Sequence, residues 1–591
     1  MRRERERKSG GWVVWMFLLA MGIVAGGVYF YFLMPNNNVV PAFEEGKLTL
    51  VVEGQTDTSK NQPKIVDNEI LFPFDVVKKY FDPNIYWDEA LKKVTVTTEK
   101  KVIRMKTDSL EALINNKPVT LKIPVTVDNG VTYIPMEFLS EFYSIEINYL
   151  KDKNVIMVDF TNKIKKIAEP MDAKAVVRKE RTVRAPILRK FDPVTEKPED
   201  LRFNIYEEYD KWYKVRTAEG IVGYIEKKNV VVKEMTVKKL PQEPAVNTAW
   251  KPEKGKINLV WEMMYGKRPD LAKIPKMDGL DVLSPTWFQL ENEQGGLINR
   301  ADAKYVEWAH QNGYKVWALL SNDFQDPAKT KKFLGNTDAR DNTIRQLLTY
   351  ASLYKLDGIN IDFENVNKSD RDALTQFVRE VTPMLKEQGL VVSMDVGIPD
   401  GSDNYSLCYD RKALGQVVDY IMVMTYDQHY AGGQKSGSVA QMTWVEQNLK
   451  KTLEQVPKEK LLLGLPFYTR LWKEETGADG KVKLTSEALT MDAARKNIKD
   501  NNGTVKWDEE SGQFYGEYKK DNVTYKVWLE DESSINLKSS LVQKYNLAGA
   551  ASWSRTFEVA EVWNVLNKNL KTIDSYQTWV AENKEKKYVF N

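Results

Sequence analysis

Soft ligands are almost missing from this chain. Its 591 residues include one cysteine, Cys408, and two histidines, His310 and His429. A single cysteine excludes an intramolecular disulfide, and so few Cys and His side chains exclude a zinc site of the His/Cys type. No EF-hand loop is present, which leaves only carboxylate-type calcium sites open. No metal and no cofactor is expected. An excess of either charge is missing too: 86 Lys and Arg stand against 83 Asp and Glu, a formal net charge of +3. Nucleic-acid binders carry a basic stripe, so that partner class is set aside. The length exceeds what one hydrophobic core supports, and about three or four domains are expected.

Long uncharged apolar runs are absent apart from one. Residues 11–33 read GWVVWMFLLAMGIVAGGVYFYFL and come after Arg2, Arg3, Arg5, Arg7 and Lys8. Such a run is long enough to cross a bilayer core of about 30 Å as a helix. The basic residues ahead of it place the N-terminus in the cytoplasm. A cleaved signal peptide is the rival reading, but its apolar region is shorter and a small-x-small site comes after it. Only Val40-Pro41-Ala42 resembles such a site. The expectation is a basic cytoplasmic tail over residues 1–10, an uncleaved transmembrane anchor over 11–33, and everything beyond it outside the cell: a single-pass protein of the cell membrane.

The segment after the apolar run repeats itself. Asp67-Asn68-Glu69-Ile70-Leu71-Phe72-Pro73 is echoed by Asp128-Asn129-Gly130-Val131-Thr132-Tyr133-Ile134-Pro135. Each copy reads as a turn, a strand, a proline-started helix and a hairpin, one supersecondary unit used twice. Residues 46–165 resemble the small N-terminal domain named after copper amine oxidase. With no His or Cys in that segment the name implies no copper, and a binding or spacer module is expected. Residues 173–235 are different. Trp212-Tyr213-Lys214-Val215-Arg216-Thr217 and Val222-Gly223-Tyr224-Ile225 flank a turn at Ala218-Glu219-Gly220. This pattern resembles the bacterial SH3-like domains of cell-wall proteins, small all-β barrels that contact peptidoglycan peptides or act as spacers; both readings stay open. Residues 236–253, with Pro241, Pro244 and Pro252, read as a linker.

From residue 254 to 575 the pattern is strand, helix, strand, helix. Eight apolar segments, the first at residues 257–261 and the last at 549–553, alternate with helix-period stretches, which argues for an α/β fold of the (β/α)8 TIM barrel type. Residues 473–536, between the seventh and eighth strands, are too long for a simple connection and read as a small α+β insertion on the rim. The fourth strand is Asp357-Gly358-Ile359-Asn360-Ile361-Asp362-Phe363-Glu364. Side chains alternate along a strand, so Asn360, Asp362 and Glu364 share one face and Ile359, Ile361 and Phe363 the other. A carboxylate out of water must be paired, hydrogen-bonded or neutralised, and two side by side push one proton affinity upward. A neutral carboxylic acid at working pH is what general-acid chemistry requires. An isolated Asp-x-Glu is more often a structural network at a strand end; the whole octapeptide is what favours chemistry. Barrel enzymes place their sites at the C-terminal strand ends, where Tyr426, Asp427 and Trp553 also fall. Trp offers a flat face to a pyranose and Tyr a hydroxyl donor.

These residues resemble glycoside hydrolase family 18, the chitinase-like barrels. D-G-x-D-x-D-x-E stands here as D-G-I-N-I-D-F-E, M-x-Y-D as Met424-Thr425-Tyr426-Asp427, and the strand-eight Trp as Trp553. Tyr426 to His429 and Ser284 to Phe288 are similar to the spore and cell-wall N-acetylglucosaminidase branch of bacilli. The resemblance implies Glu364, Asp362 and Tyr426 as catalytic residues and Asn360, Asp427 and Trp553 as substrate-binding ones. Asn360 departs from the pattern by replacing an Asp, keeping hydrogen bonds but dropping a charge; an altered pH optimum is expected, with activity kept because Glu364 is present. The implied activity is substrate-assisted retaining hydrolysis of β-1,4 linkages in N-acetylglucosamine-containing glycan, the exception to the two-carboxylate scheme. Peptidoglycan is the favoured substrate, a chitin oligosaccharide the nearest rival, and a non-catalytic wall scaffold the second class. His429 reads as a rim residue that shapes the site.

Overall fold

The structure, a computed structural model, describes residues 10–29, 34–236, 249–264, 266, 268–477 and 480–590. The basic residues of the expected cytoplasmic tail and most of the 236–253 linker lie outside the described residues. The chain divides into two compact units: residues 1–85, 105–112 and 119–244 form one, and residues 86–104, 113–118 and 245–591 the other.

In the first unit the apolar run forms the helix Gly10–Val28, whose side chains from Trp12 onward are exposed. Among the described residues no helix is long and apolar enough to cross a membrane. The transmembrane anchor expected over residues 11–33 is therefore not supported. The helix has 19 residues, a rise of roughly 28 Å at 1.5 Å per residue, and residues 30–33 of the run lie outside the described residues.

The sequence repeat becomes a pairing of two like strands. Glu69–Pro73 enters the helix Phe74–Tyr80, and Val131–Pro135 enters Met136–Leu139. The two strands pair antiparallel, with Ile134 opposite Phe72. Each is reached through a two-residue turn with both residues at positive φ, Asp67-Asn68 in one copy and Asn129-Gly130 in the other, the type I′ geometry that hairpins favour. Beyond it comes a seven-stranded antiparallel sheet: Ile187–Lys190, Val176–Arg178, Val222–Glu226, Trp212–Thr217, Phe203–Glu208, Lys165–Pro170 and Val230–Thr236 in spatial order. The predicted pair around Gly220 is there, with Val215 opposite Gly223. The module is all-β, but the SH3-like reading is not supported beyond that. Lys165–Pro170, ahead of the expected start at 173, lies between two of its strands.

The second unit is the barrel. Its strands are β1 (Ile257–Glu262), β2 (Val282–Pro285), β3 (Lys315–Ser321), β4 (Gly358–Asp362), β5 (Val391–Gly397), β6 (Tyr420–Met424), β7 (Leu461–Pro466) and β8 (Gly549–Trp553). All pair parallel with their neighbours and the ring closes through β1–β8 and β2–β3. Alternation sorts the side chains. Ile359, Ile361 and Phe363 join the large core between strands and helices, while Leu259, Trp261, Trp317, Leu319, Tyr420 and Met422 fill the barrel interior. The rim insertion starts and ends earlier than expected and carries more strands. It is a five-stranded antiparallel sheet running from Tyr468–Thr476 to Val523–Leu529, with the helix Met491–Asp500 packed on it. Its first strand continues from β7 after Phe467 alone.

Residues 86–104 are built into this unit. Val102 belongs to the barrel's outer core. The Arg104 guanidinium donates to Asp341 at 2.6 Å and to Glu380 at 2.9 Å, and Arg340 donates to Glu380 at 2.7 Å. Burial alone would push the Glu380 carboxyl up; the Arg104 and Arg340 charges overcome it and hold it at about 2. Arg104→Met leaves Asp341 and Glu380 short of a partner, and we expect a loss of about 3–5 kcal/mol in urea unfolding of the full chain. Because the folded carboxyl ionises below its unfolded value of about 4.3, this stabilisation is complete above that pH. It is lost as pH falls toward 2, so the gap between wild type and variant should close in acid.

Candidate active site

β4 delivers its functional side chains in a row because a strand alternates. Asn360 and Asp362 point into the barrel, both buried, and Glu364 stands just beyond them at the C-terminal mouth. Its backbone is clamped by Asn322, which lies just beyond β3. The Asn322 Oδ1 accepts from the Glu364 amide at 2.9 Å, and its Nδ2 donates to the Glu364 carbonyl at 2.8 Å. A buried side-chain amide thus continues the ladder one step past the strand and fixes where the Glu364 side chain begins. Tyr409 donates to the Phe363 carbonyl at 2.8 Å and holds the same turn from the β5 side.

Asn360 is oriented by β5. Ser393 donates to its Oδ1 at 2.7 Å, and its Nδ2 donates to Asp395 Oδ2 at 2.7 Å. Asp362 Oδ1 and Asp395 Oδ1 are buried without a hydrogen-bond partner among the described residues. Burial, then the nearby Glu364 and Asp395, push the Asp362 carboxyl well above the usual carboxylate range. Burial does the same to Asp395, with the Asn360 hydrogen bond opposing it. Glu364 is raised to about 7, by burial first and by the charge of Asp427 second. The mouth therefore holds carboxyl groups that stay protonated at pH values where exposed ones are ionised.

The β6 end brings Tyr426 and Asp427. Tyr426 is raised well above its ordinary range, by burial and then by the neighbouring Asp395. Asp427 turns back through a left-handed residue, φ 61°, and accepts from the Tyr468 hydroxyl of the insertion. The Tyr468 ring stands edge-on to Tyr426, with centroids 6.3 Å apart. Trp553 ends β8 beside Trp261, at 6.2 Å, and packs with Tyr426 against the interior cluster. Behind it, Arg555 and Tyr305 both donate to the buried Glu262, and the Arg555 amide donates to the Trp261 carbonyl at 2.8 Å. All six residues expected from the sequence thus meet at one end of the barrel. His429 Nδ1 is 2.8 Å from the Ser438 carbonyl, and its ring packs over Gly437, where a Cβ would lie 2.4 Å away, a fixed rim position as expected.

Sequence reasoning missed Asn322, Tyr468 and Asp395. For Asp395 a signal existed: Ser393 and Asp395 are polar alternate positions in an apolar strand, the pattern used to read β4.

Residues 284–558 match the family model Glycosyl hydrolases family 18, and residues 51–158 match Copper amine oxidase N-terminal domain. The barrel is a family 18 glycosidase domain. Among curated proteins, an uncharacterized glycosylase, YvbX, of Bacillus subtilis is 28% identical over 49% of this chain and 85% of its own length. A cortical fragment-lytic enzyme of the same species is 25% identical over 41% of this chain and 57% of its own. Among solved structures, the spore cortex-lytic enzyme SleL of Bacillus megaterium matches with a TM-score of 0.48 and 21% identity, over 54% of this chain and 76% of that one.

Because the Asp427 charge helps keep Glu364 protonated, Asp427→Asn should let Glu364 ionise at lower pH. The alkaline limb of kcat/KM against pH, expected near 7 in the wild type, should move toward acid by on the order of one pH unit. An unmoved limb in a folded variant would contradict this reading of the mouth.

Proposed function

We propose that this protein hydrolyses β-1,4 linkages in N-acetylglucosamine-containing glycan, and that the glycan is peptidoglycan. The observation that carries the reading is a Glu364 carboxyl held near neutrality above a buried Asp362. In that state Glu364 protonates the leaving glycosidic oxygen. The acetamido oxygen of the cleaved sugar attacks its own anomeric carbon, and the C–O bond to the leaving sugar breaks as the oxazolinium-type ring forms. Asp362 accepts from the acetamide N–H and stabilises the positive charge that develops there; its unpartnered Oδ1 is available for that bond. The Tyr426 hydroxyl donates to the acetamido oxygen. Glu364, now ionised, takes a proton from the water that opens the ring, and the anomeric configuration is retained. Asn360 holds Asp395 on the neighbouring strand, Trp553 offers a face to the sugar ring, and Asp427 tunes Glu364.

The chemistry requires a 2-acetamido sugar but does not choose between wall glycan and chitin oligomers. Peptidoglycan is favoured by the similarity to a cortical fragment-lytic enzyme. Such a substrate puts the barrel outside the cytoplasm.

Incubation of the protein with purified peptidoglycan should release fragments ending in reducing N-acetylglucosamine, read by mass spectrometry. Glu364→Gln should lower the rate by at least about a hundredfold. Cleavage of N-acetylglucosamine oligomers with none of peptidoglycan would transfer the proposal to chitin-type glycan. Fragments ending in reducing N-acetylmuramic acid would overturn the linkage assignment.

A further inference from the structure

Position 360 carries an amide where the family pattern D-G-x-D-x-D-x-E has a carboxyl, and the structure shows what stands opposite it. β4 and β5 pair in parallel, Asn360 beside Ser393 and Ile361 beside Met394. The next positions in that register are Asp362 and Asp395. Neighbouring strands lie about 4.8 Å apart and residues at one level share a face, so the two carboxyls occupy adjacent places on the interior wall. Asp395 is 2% exposed and Asp362 is 7% exposed. The Asn360 amide reaches across the strands to Asp395 at 2.7 Å, with Ser393 fixing its orientation from the other side at 2.7 Å.

We propose that Asp395 is a positioning residue for Asp362, supplying from β5 the second carboxyl that β4 lacks at position 360. An interior wall of this kind cannot hold two buried carboxylates without a proton between them. Asn360 donates to Asp395 and cannot donate with the same group to Asp362, so the amide stabilises negative charge on the β5 side. The proton then rests with Asp362 until a ligand brings its own N–H to that carboxyl, when the proton passes to Asp395, whose Oδ1 has no other partner among the described residues. The groups facing this pair are Glu364 from the end of β4, Tyr426 from the end of β6, Trp261 from β1 and Tyr409 from the connection after β5. Among the described residues no cation acts directly on Asp362 or Asp395; the nearest one in this set, Arg411, acts on Tyr409. The chain thus carries its second acid on a neighbouring strand, where a search along the D-G-I-N-I-D-F-E segment does not find it.

The proposal rests on the glycosidase reading, and two readouts separate the failure of each. The first needs no substrate. In a Glu364→Gln background, infrared spectra at mildly alkaline pH should contain a protonated-carboxyl stretch that Asp395→Asn abolishes, since Asp362 then loses its like-charged neighbour and ionises. The second uses tetra-N-acetylchitotetraose. Asp395→Asn should lower kcat by about tenfold or more with KM little changed, and shift the acid limb of the pH profile toward acid. Asn360→Asp should shift that limb the other way. The exchange Asn360→Asp with Asp395→Asn restores two carboxyls and should recover most of kcat. Should Asp395→Asn fail to fold, the limb shift of Asn360→Asp carries the test. An infrared band untouched by Asp395→Asn, a wild-type pH profile in that variant, or an exchange variant no better than Asp395→Asn would each overturn the proposal. Absence of wild-type turnover of both this oligomer and peptidoglycan would sink the glycosidase reading while leaving the infrared result to decide this one.

Discussion

Carboxyl groups buried in the mouth of a closed apolar barrel are the constraint on which the rest depends. Eight parallel strands leave no edge and an interior filled by Trp261, Trp317, Tyr420 and their neighbours, so water does not solvate the inner end of the site. Asp362 and Asp395 must then be neutralised or hydrogen-bonded from within, and Asn360 is the group that does part of this. The same burial raises Glu364 to about 7, the range that the proposed general acid requires. Fold and chemistry are joined here: a more open mouth would hydrate the carboxyls and return them to their ordinary range, and with it the general acid would be lost.

The supports around this wall are ordinary packing devices used at one place. Asn322 extends the backbone ladder past the end of β4, Tyr409 braces Phe363, and Glu262 ties Arg555 and Tyr305 behind the Trp553 end of β8. Asn322 and Tyr409 fix backbone, whereas Glu262 ties side chains together. The buried Arg104, Arg340, Asp341 and Glu380 cluster does a different job. It binds residues 86–104 into the barrel unit, so a boundary drawn at the start of β1 would leave Glu380 and Asp341 short of a cation.

Much of this was legible in the sequence because it depends on local periodicity. The alternation in residues 357–364 placed Asn360, Asp362 and Glu364 on one face, and the paired Asp-Asn and Asn-Gly turns marked two like hairpins. Asp395 was not found, although V-V-S-M-D-V alternates, because its meaning comes from the register between β4 and β5, a tertiary fact. The first strand of the insertion was hidden because Tyr468–Thr476 follows β7 after the single residue Phe467, too short a gap to read as a connection between two strands. Lys165–Pro170 was hidden because its partners lie some 35 to 70 positions further along. The apolar run at residues 11–33 pointed to a membrane span by length and composition, whereas the described helix Gly10–Val28 falls short of one.

The proposed mechanism stands or falls with the substrate's own acetamide acting as the nucleophile while Asp362 and Tyr426 hold it. The most direct measurement compares turnover of an N-acetylglucosamine oligomer with that of the same oligomer carrying a free amine at the sugar next to the scissile bond. The amine form should bind without being cleaved at that bond. Undiminished cleavage of the amine form would contradict the acetamide's role.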